Sequence, residues 1–286
     1  MNDGADAPLL DIEDLLDDSD LERQISSNDD WAFQQADRMV NRLPQREGKD
    51  RRTEGEVFDH HTLMTLHKML LGGVLKSLDF PISTGKEANV FRGTTPEGGF
   101  VAVKIYRVNT ATFKHVLKYI DGDERFEGVK GDKRALVSAW AQKEFRNLQR
   151  MRDFSIDVPE PIRVLNNVLV TEFLGTAESA WPKLKDLGRL DKDEAERFWE
   201  KLSVDVVRMH EEAKLVHADL SEYNILVEHP GTADAAARII DVGQAVLTNH
   251  PMAWEFMTRD AQNLAGYFKR QRLRVRPEDI TLLLRP

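Results

Sequence analysis

The chain has 286 residues, 41% of them hydrophobic, a formal net charge of −9 and no cysteine. The lack of cysteine excludes disulfides, thiolate metal sites and cysteine nucleophiles, and the negative charge argues against a general binder of nucleic-acid backbones. No stretch of about 18 apolar residues predicts a membrane span, and the acidic start does not resemble a signal peptide, so we expect a cytoplasmic protein without membrane contact.

Residues 1–50 are predicted to be an acidic, mostly disordered segment. Residues 1–30 contain eleven Asp or Glu and one Arg, which accounts for about −10 of charge. This composition is typical of a solvated terminus, and an interaction tail is the alternative interpretation. A helical extension is expected over 51–78, with a helix at 57–75 in which apolar residues recur at helical spacing.

Residues 79–175 are rich in strand patterns. Three strands are predicted at about 80–83, 88–93 and 99–107, and the turn TPEGG joins the last two. A charged, irregular stretch at about 109–136 predicts a mobile loop. A helix at 137–153 and a second hairpin at 162–173, which turns at Asn166-Asn167, are expected to follow.

Residues 176–286 are predicted to be mainly helical. Asp191 can cap a long helix at 192–213, two short strands follow at 225–228 and 238–240, and another helix runs through 252–269. A strand-rich half followed by a helical half predicts an α+β chain with two lobes and a cleft between them.

The segment LVHADLSEYNILV places a polar cluster between two apolar stretches. It contains Asp219 and Asn224, and Asp241 follows the next predicted strand. Their oxygen ligands suit Mg²⁺ bound to substrate phosphates, and Asp219 is then placed to orient or deprotonate an attacking hydroxyl. Gly243 would allow the backbone to approach the site closely. A polar surface turn is the structural alternative for this segment.

A metal–phosphate centre also needs positive charge, and VAVKIY supplies Lys104 in a strand. A lysine among apolar neighbours needs a partner if it is buried. Glu144, on the helix after the predicted loop, is the expected partner and would aim the amino group at phosphate oxygens. The stretch from Ser83 to Ala88 offers a hydroxyl, a glycine and backbone amides that can cover phosphates.

These motifs are weak singly and gain meaning from their order. STGKEA matches neither G-x-G-x-x-G nor the P-loop pattern. A loop, a strand lysine, a helix glutamate, H-x-D-x-x-x-x-N and D-x-G nevertheless follow the order of protein-kinase parts. Two alternatives share them: a small-molecule phosphotransferase of the aminoglycoside or choline kinase type, and a kinase-like protein without activity.

From about residue 55 to 270 the sequence resembles the RIO family of atypical serine/threonine protein kinases. The resemblance is carried by STGKEANVF, VAVKIYR, KEFRNL, HADLSEYNIL, IIDVGQAV and HPMA-EF-RD, and STGKEA is similar to the type 1 branch. It implies a two-lobed protein-kinase-like fold. The expected parts are a small antiparallel-sheet N-lobe at 79–175, a reduced helical C-lobe at 176–286 and the N-terminal helical extension.

The resemblance also implies residue roles. Asp219 is expected to be the catalytic acid/base, Asn224 and Asp241 the metal ligands, and Lys104, paired with Glu144, the phosphate-binding lysine. The backbone of 172–174 is expected to read adenine. Val90, Ile105 and Ile240 are expected to sandwich the adenine ring. The nucleotide-binding candidates together are Ser83, Gly85, Lys86, Glu87, Val90, Lys104, Glu144, Glu172, Leu174 and Ile240, and the catalytic candidates are Asp219, Asp241 and Lys104.

The implied activity is Mg-ATP-dependent phosphorylation of serine or threonine, and/or ATP hydrolysis in which Asp241 is phosphorylated transiently. ATP and Mg²⁺ are the expected cofactors, with Mn²⁺ as the alternative metal. A small-ribosomal-subunit precursor or its assembly factors are the expected partners. An rRNA contact would use basic residues near the end, for which a solvated helix end is the simpler interpretation: Arg270, Arg272, Arg274 and Arg276.

The sequence departs from ordinary protein kinases in two places. No A-P-E follows Gly243, and few residues remain after it, so the activation loop and the peptide-docking helices are expected to be absent. The stretch between Lys104 and Glu144 is unusually long, and in the family it can be autophosphorylated. The hydroxyl candidates here are Thr110, Thr112 and Ser138.

Overall fold

The computed structural model of the chain describes residues 58–108, Tyr119, Asp123 and residues 133–284. The predicted acidic segment 1–50, most of the predicted loop 109–136, and Thr110 and Thr112 within that loop lie outside the described residues.

Five antiparallel strands form one sheet in the order β1-β2-β3-β5-β4. Both predicted hairpins are confirmed, and the second turns at Asn166, whose φ of 48° is a left-handed conformation that asparagine tolerates. The first strand is longer than predicted and has register shifts around Pro81. The strands are β1 Ser77–Thr84, β2 Ala88–Thr94, β3 Phe100–Tyr106, β4 Pro161–Leu165 and β5 Val168–Glu172.

A helix covers each face of this sheet. Helix α1, His60–Leu71, starts where the Asp59 side chain accepts a hydrogen bond from the Thr62 amide at 2.9 Å. It packs buried residues such as Leu66 and Met69 against one face of the sheet. Helix α2, Lys133–Asp153, belongs to the second, larger core on the opposite face.

Helix α2 begins four residues before the predicted position, because Lys-Arg-Ala-Leu at 133–136 favours helix despite its charge. The end predicted for the loop is corrected accordingly, whereas Ser138 lies in the helix, as the predicted helix 137–153 requires, and is half-buried. Tyr119, inside the predicted loop, is buried against Trp140 of α2 and Phe256.

The remaining elements form a mainly helical half around the larger core. The Asp191 carboxylate caps the helix Lys192–Glu211, α3, by accepting a hydrogen bond from the Glu194 amide at 2.8 Å, as predicted. Two short antiparallel ladders, β7–β8 and β6–β9, frame the candidate site. The elements are a 3-10 turn at Leu184–Asp186, α3 Lys192–Glu211, β6 Leu215–Val216, β7 Ile225–Glu228, β8 Ala236–Ile239, β9 Val246–Leu247, α4 Ala253–Arg270 and α5 Glu278–Thr281.

Candidate active site

Lys104 is the centre of the candidate site. Its neighbours Val103 and Ile105 are buried in the core under α1, and because side chains alternate along a strand, Lys104 points to the other face. Its amino nitrogen donates to Glu144 Oε2 at 2.6 Å and Oε1 at 2.9 Å, and to Asp241 Oδ1 at 2.7 Å. The pair predicted from the sequence is therefore formed, and Asp241 joins it.

Glu144 is held on more than one side. Its side chain is only 4% exposed, and the Tyr106 hydroxyl donates a hydrogen bond to Oε2. Burial raises the pKa of Glu144, although the Lys104 charge opposes this. For Lys104 burial acts to lower the pKa, but the carboxylates of Asp241 and Glu144 outweigh it and hold the pKa well above its usual value. Lys104 is thus a permanent cation.

The loop between β6 and β7 brings Asp219 and Asn224 together. Asn224 Nδ2 donates to the Asp219 carbonyl at 2.9 Å and to Asp219 Oδ2 at 3.1 Å. Both partners are acceptors, so the amide nitrogen must face Asp219, and the amide oxygen remains for a cation. Burial raises the pKa of Asp219.

His217 ties this loop to the segment that carries Asp241. Its Nε2 lies 3.2 Å from the Ile240 carbonyl, to which it donates. Burial lowers the pKa of His217, which favours the neutral ring. The Ile240 amide in turn donates to the Asn224 carbonyl at 3.0 Å.

Helix α4 also binds the loop between β6 and β7, through side chains that were not predicted from the sequence. The Asp260 carboxylate accepts from the amides of Ala218 at 2.8 Å and Leu220 at 2.9 Å. Ala218 has a φ of 66°, a left-handed conformation that is rare for residues with a side chain and tends to occur at functional sites. Burial raises the pKa of Asp260 to about 7. Arg259 donates to the Ala218 carbonyl, and Asn263 to that of Leu220 at 3.1 Å.

Asp241 follows β8 and also has a left-handed backbone, with a φ of 62°. Its side chain is 51% exposed, and the Lys104 charge lowers its pKa. Gly243 lies against the site as predicted: a Cβ there would come within 3.0 Å of Glu144 Oε2 and 3.4 Å of Trp140 Nε1. The sequence D-V-G thus reflects close packing against α2.

The predicted phosphate loop, from Ser83 to Ala88, comprises the end of β1, the turn at 85–87 and the first residue of β2. The Gly85 amide donates to the Ala88 carbonyl at 2.9 Å, and Ser83, Gly85 and Lys86 are exposed. Glu87 is half-buried; burial raises its pKa, and the nearby Asp241 charge adds to the effect. The structure brings Glu87 into the electrostatic range of Lys104, Glu144 and Asp241.

Of the three residues expected to enclose adenine, Val90 lies on the site face and Ile240 lies next to Asp241 in the chain. Val90 pairs with Lys104 across β2 and β3, so both point to the same face, and Ile240 is half-buried beside Asp241. The expectation for Ile105 was wrong, because it is fully buried on the opposite face. Ala102, two residues before Lys104, shares the site face instead.

The segment after β5, predicted to read adenine, is anchored at several points. The Leu174 carbonyl accepts from the Trp181 amide at 3.0 Å, whereas the Leu174 amide has no acceptor among the described residues. The Glu172 carboxylate binds Arg238 of β8 at 3.2 Å. Arg238 also lies 3.4 Å from Asp157 and was not predicted to have a role.

The donor set fits magnesium better than a metal bound mainly by the protein. Within residues 58–108, 119, 123 and 133–284, no three His, Cys, Asp or Glu side chains could hold a metal together. Mg²⁺ typically needs only one or two protein oxygens, because phosphates and waters complete its shell. The oxygens of Asn224 and Asp241 meet that requirement. In the same part of the chain, no helix is long and apolar enough to cross a membrane.

Comparison with known proteins agrees with this arrangement of parts. The RIO domain matches residues 89–280. The chain belongs to the RIO family. Among its relatives, the RIO-type serine/threonine-protein kinase Rio1 of Haloferax volcanii is 40% identical over 220 residues, which are 77% of this chain and 73% of that protein. Rio1 of Methanocaldococcus jannaschii is 41% identical over 233 residues, 81% and 77% of the two chains.

Other RIO proteins define how far the likeness extends. Human RIO1 is 40% identical over 228 residues, which are 79% of this chain but only 39% of the human protein. The Rio2 kinase of Chaetomium thermophilum, solved as an ADP/Mg²⁺–phosphoaspartate complex, superposes with a TM-score of 0.59 at 20% identity and covers 78% of this chain and 66% of that one. The RIO kinase-like fold, the Rio1 branch and the serine/threonine-kinase class of the family are thereby confirmed.

Proposed function

We propose that the chain transfers the γ-phosphoryl group of Mg-ATP to a serine or threonine hydroxyl of a protein. The supporting observation is the meeting of Lys104, Glu144 and Asp241 beside the Asp219–Asn224 pair. Asp219 accepts the hydroxyl proton while the hydroxyl oxygen attacks the γ-phosphorus. The bond to the β–γ bridging oxygen breaks, and ADP leaves.

Asn224 and Asp241 would hold Mg²⁺, which, when bound, neutralises charge on the phosphates. Lys104 already uses its three N–H donors on Glu144 and Asp241. To bind a phosphate oxygen it must release one of them. Asp241 is the more exposed partner, so we expect Lys104 to exchange Asp241 for phosphate while it keeps Glu144.

The adenine base would lie between the lobe at 79–175 and the lobe at 176–286. Val90 and Ile240 enclose adenine, the Leu174 amide donates to its ring, and the turn at 83–87 covers the phosphates. The open Leu174 amide and the position of Val90 beside Lys104 support this arrangement. The lobes at 79–175 and 176–286 are proposed to close on the nucleotide.

A second proposed function is ATP hydrolysis through a phosphorylated Asp241, as an ATP-driven step in maturation of the small ribosomal subunit in the cytoplasm. Its support is the exposed Asp241 carboxylate beside Lys104, together with the start of α4 at Ala253, ten residues after Gly243, which leaves little room for a peptide platform. A carboxylate oxygen attacks the γ-phosphorus and ADP leaves. Water then hydrolyses the acyl phosphate, which releases inorganic phosphate and restores the Asp241 carboxylate.

An rRNA contact would fall on the last residue of α4 and the segment that follows it. Arg270 pairs with Glu222, and Arg276 lies 3.5 Å from Asp279. Arg272 and Arg274 are exposed and are the remaining candidates to bind a backbone phosphate.

Radiolabelled phosphate transfer separates these functions. With [γ-³²P]ATP, label that is stable to hydroxylamine, sits on serine or threonine and disappears in Asp219→Asn supports the kinase. Equal labelling of the Asp219→Asn variant would contradict it. Hydroxylamine-labile label on the chain itself, lost in Asp241→Asn, supports the ATPase. Stable phosphoserine on a partner, without hydrolysis of ATP alone, would count against the ATPase.

A further inference from the structure

Helix α2 holds the segment after Asp241 through two fully buried polar side chains. The Lys143 amino nitrogen donates to the Gly243 carbonyl at 3.1 Å and to the Ala245 carbonyl. Asn147, one helical turn later, donates from Nδ2 to the Val242 carbonyl at 2.9 Å and to the Ala245 carbonyl at 3.1 Å. Two side chains of one helix thus serve three backbone carbonyls of the segment 242–245.

This segment lies outside the strands, and its backbone gains its hydrogen bonds mainly from α2. Among the described residues, its own backbone contributes the bond from the Ala245 amide to the Val242 carbonyl at 3.1 Å. Buried carbonyls need hydrogen-bond donors. Without the Lys143 and Asn147 donors, these carbonyls would lose hydrogen bonds, and the segment would rearrange to find other donors. Such a rearrangement would move Asp241, which is the residue immediately before it.

The contacts around Asp241 form a closed ring. Lys104 binds both Glu144 and Asp241. Glu144 is next to Lys143 on α2, and Lys143 with Asn147 holds the segment that follows Asp241. Lys143 and Asn147 are four positions apart and therefore lie on one face of α2. That face binds the segment 242–245, while the next residue, Glu144, binds Lys104.

We propose that Lys143 and Asn147 are positioning residues that set the backbone of 242–245 so that Asp241 is presented to the metal and to Lys104. The inference rests on the proposed role of Asp241 as a metal ligand. A purely structural role would instead use the same bonds to attach α2 to the larger core. The two roles differ in what their loss does to metal-dependent nucleotide binding.

The test uses variants that keep side-chain size and remove the donors, Asn147→Leu and Lys143→Met. Val137→Ala is the matched control, because Val137 is buried on α2 and has no donor for the 242–245 carbonyls. Hydrogen–deuterium exchange of peptides covering 240–247 is measured in the metal-free protein. ADP affinity is measured by calorimetry with and without Mg²⁺.

Both donor-removing variants should exchange faster at 240–247 than the wild type, and Val137→Ala should not. The gain in ADP affinity from Mg²⁺ should fall by about 10- to 100-fold, as is typical when supports of metal ligands are lost, while metal-free ADP affinity is unchanged. If Lys143→Met does not fold, Asn147→Leu alone decides.

Unchanged exchange and an unchanged Mg²⁺-dependent gain, with only a lower melting temperature as in Val137→Ala, would overturn the inference. Failure of the proposed function looks different. In that case wild-type protein gains no ADP affinity from Mg²⁺, and the exchange at 240–247 alone decides whether the two side chains position the segment.

Discussion

Replacing Glu144 with glutamine is a sharp test of the centre of the site, because it removes a charge while keeping the shape. Lys104 uses all three donors, two of them on the Glu144 carboxylate at 2.6 and 2.9 Å. Glutamine offers one acceptor oxygen, and the Tyr106 hydroxyl competes for it. The amide nitrogen then faces a donor, so at least one bond to Lys104 is lost.

The expected magnitude follows from burial. Lys104 is 17% and Glu144 4% exposed, so water screens the lost contact weakly. A hydrogen bond to a charged group contributes about 1.5–3 kcal/mol. The loss of a partner from a buried ion pair costs about 3–5 kcal/mol, but Asp241 remains bound to Lys104 and limits the effect. Because about 1.4 kcal/mol is a factor of ten, kcat/KM for ATP should fall roughly 10- to 100-fold.

The assay is ADP release at varied ATP, with circular dichroism and thermal melting as checks of folding. Tyr106→Phe is the matched control. It keeps the Lys104–Glu144 pair and removes only the hydroxyl donor, so the expected loss is about 1 kcal/mol, roughly fivefold. Glu144→Gln should therefore be the more severe change, and its ATP affinity should weaken because Lys104 turns towards Asp241.

Turnover of Glu144→Gln within a few-fold of wild type, in protein that melts normally, would refute this reasoning. It would mean that Asp241 alone positions Lys104. Equal losses in Glu144→Gln and Tyr106→Phe would also contradict it, because the Glu144 charge would then have no role beyond that of a hydrogen-bond acceptor.

Three further predictions concern residues around the centre. The pKa of Asp260 is raised to about 7 from 3.8. Between these values the folded state binds a proton that the unfolded state has released. The free energy of unfolding should therefore fall as the pH rises from about 4 to 7, by up to about 4 kcal/mol from this group. Urea unfolding at pH 5 and pH 8 checks this, and Asp260→Asn should remove this part of the pH dependence. If the free energy of unfolding of the wild type, relative to Asp260→Asn, rose from pH 5 to pH 8, the prediction would be wrong. Arg238→Gln should lower the free energy of unfolding by about 1–2 kcal/mol, because it removes the ion pairs with Glu172 and Asp157, whose partial exposure limits the loss. In the same assay, 1 M NaCl should reduce the difference between the variant and the wild type. Gly243→Ala should keep the fold but reduce ATP turnover, because its Cβ would press on the Glu144 carboxylate at 3.0 Å; full activity would show that the site tolerates a shift.

The site residues could be predicted from the sequence because they follow one another in the order of protein-kinase motifs. Lys104, Glu144, Asp219, Asn224 and Asp241 were predicted from the types of residue and their succession along the chain, and the structure brings all five together. The hairpins and the Asp191 cap were also predictable, because an Asn-Asn turn and an Asp N-cap act through local hydrogen bonds.

The supports of the site were not predictable in this way. Asp260 serves amides about forty residues earlier, and Lys143 serves carbonyls a hundred residues later. A helical acid or lysine of this kind has no local signature that separates it from an exposed one. The two-residue strands β6 and β9 are likewise too short to show periodicity.

The error at Ile105 has a different cause. Lys104 and Ile105 are adjacent in one strand, so they cannot both face the nucleotide. Strand alternation applied to VAVKIY would have placed Ala102, Lys104 and Tyr106 on one face. The resemblance to a family supplied the role of enclosing adenine but not the residue that could fill it.

The two acids of the site differ in a way that supports distinct roles. The pKa of Asp241 is lowered because Lys104 stabilises its charged form, so Asp241 remains an anion at working pH, as a cation ligand must. The pKa of Asp219 is raised by burial, which brings it closer to the range where it can accept a proton from a hydroxyl. Pairs of carboxyl groups with opposite shifts commonly divide the work in this manner. As pH falls, Asp219 becomes protonated before Asp241, so the acid side of the activity profile should report the loss of the proposed base, Asp219, while Mg²⁺-dependent nucleotide binding persists.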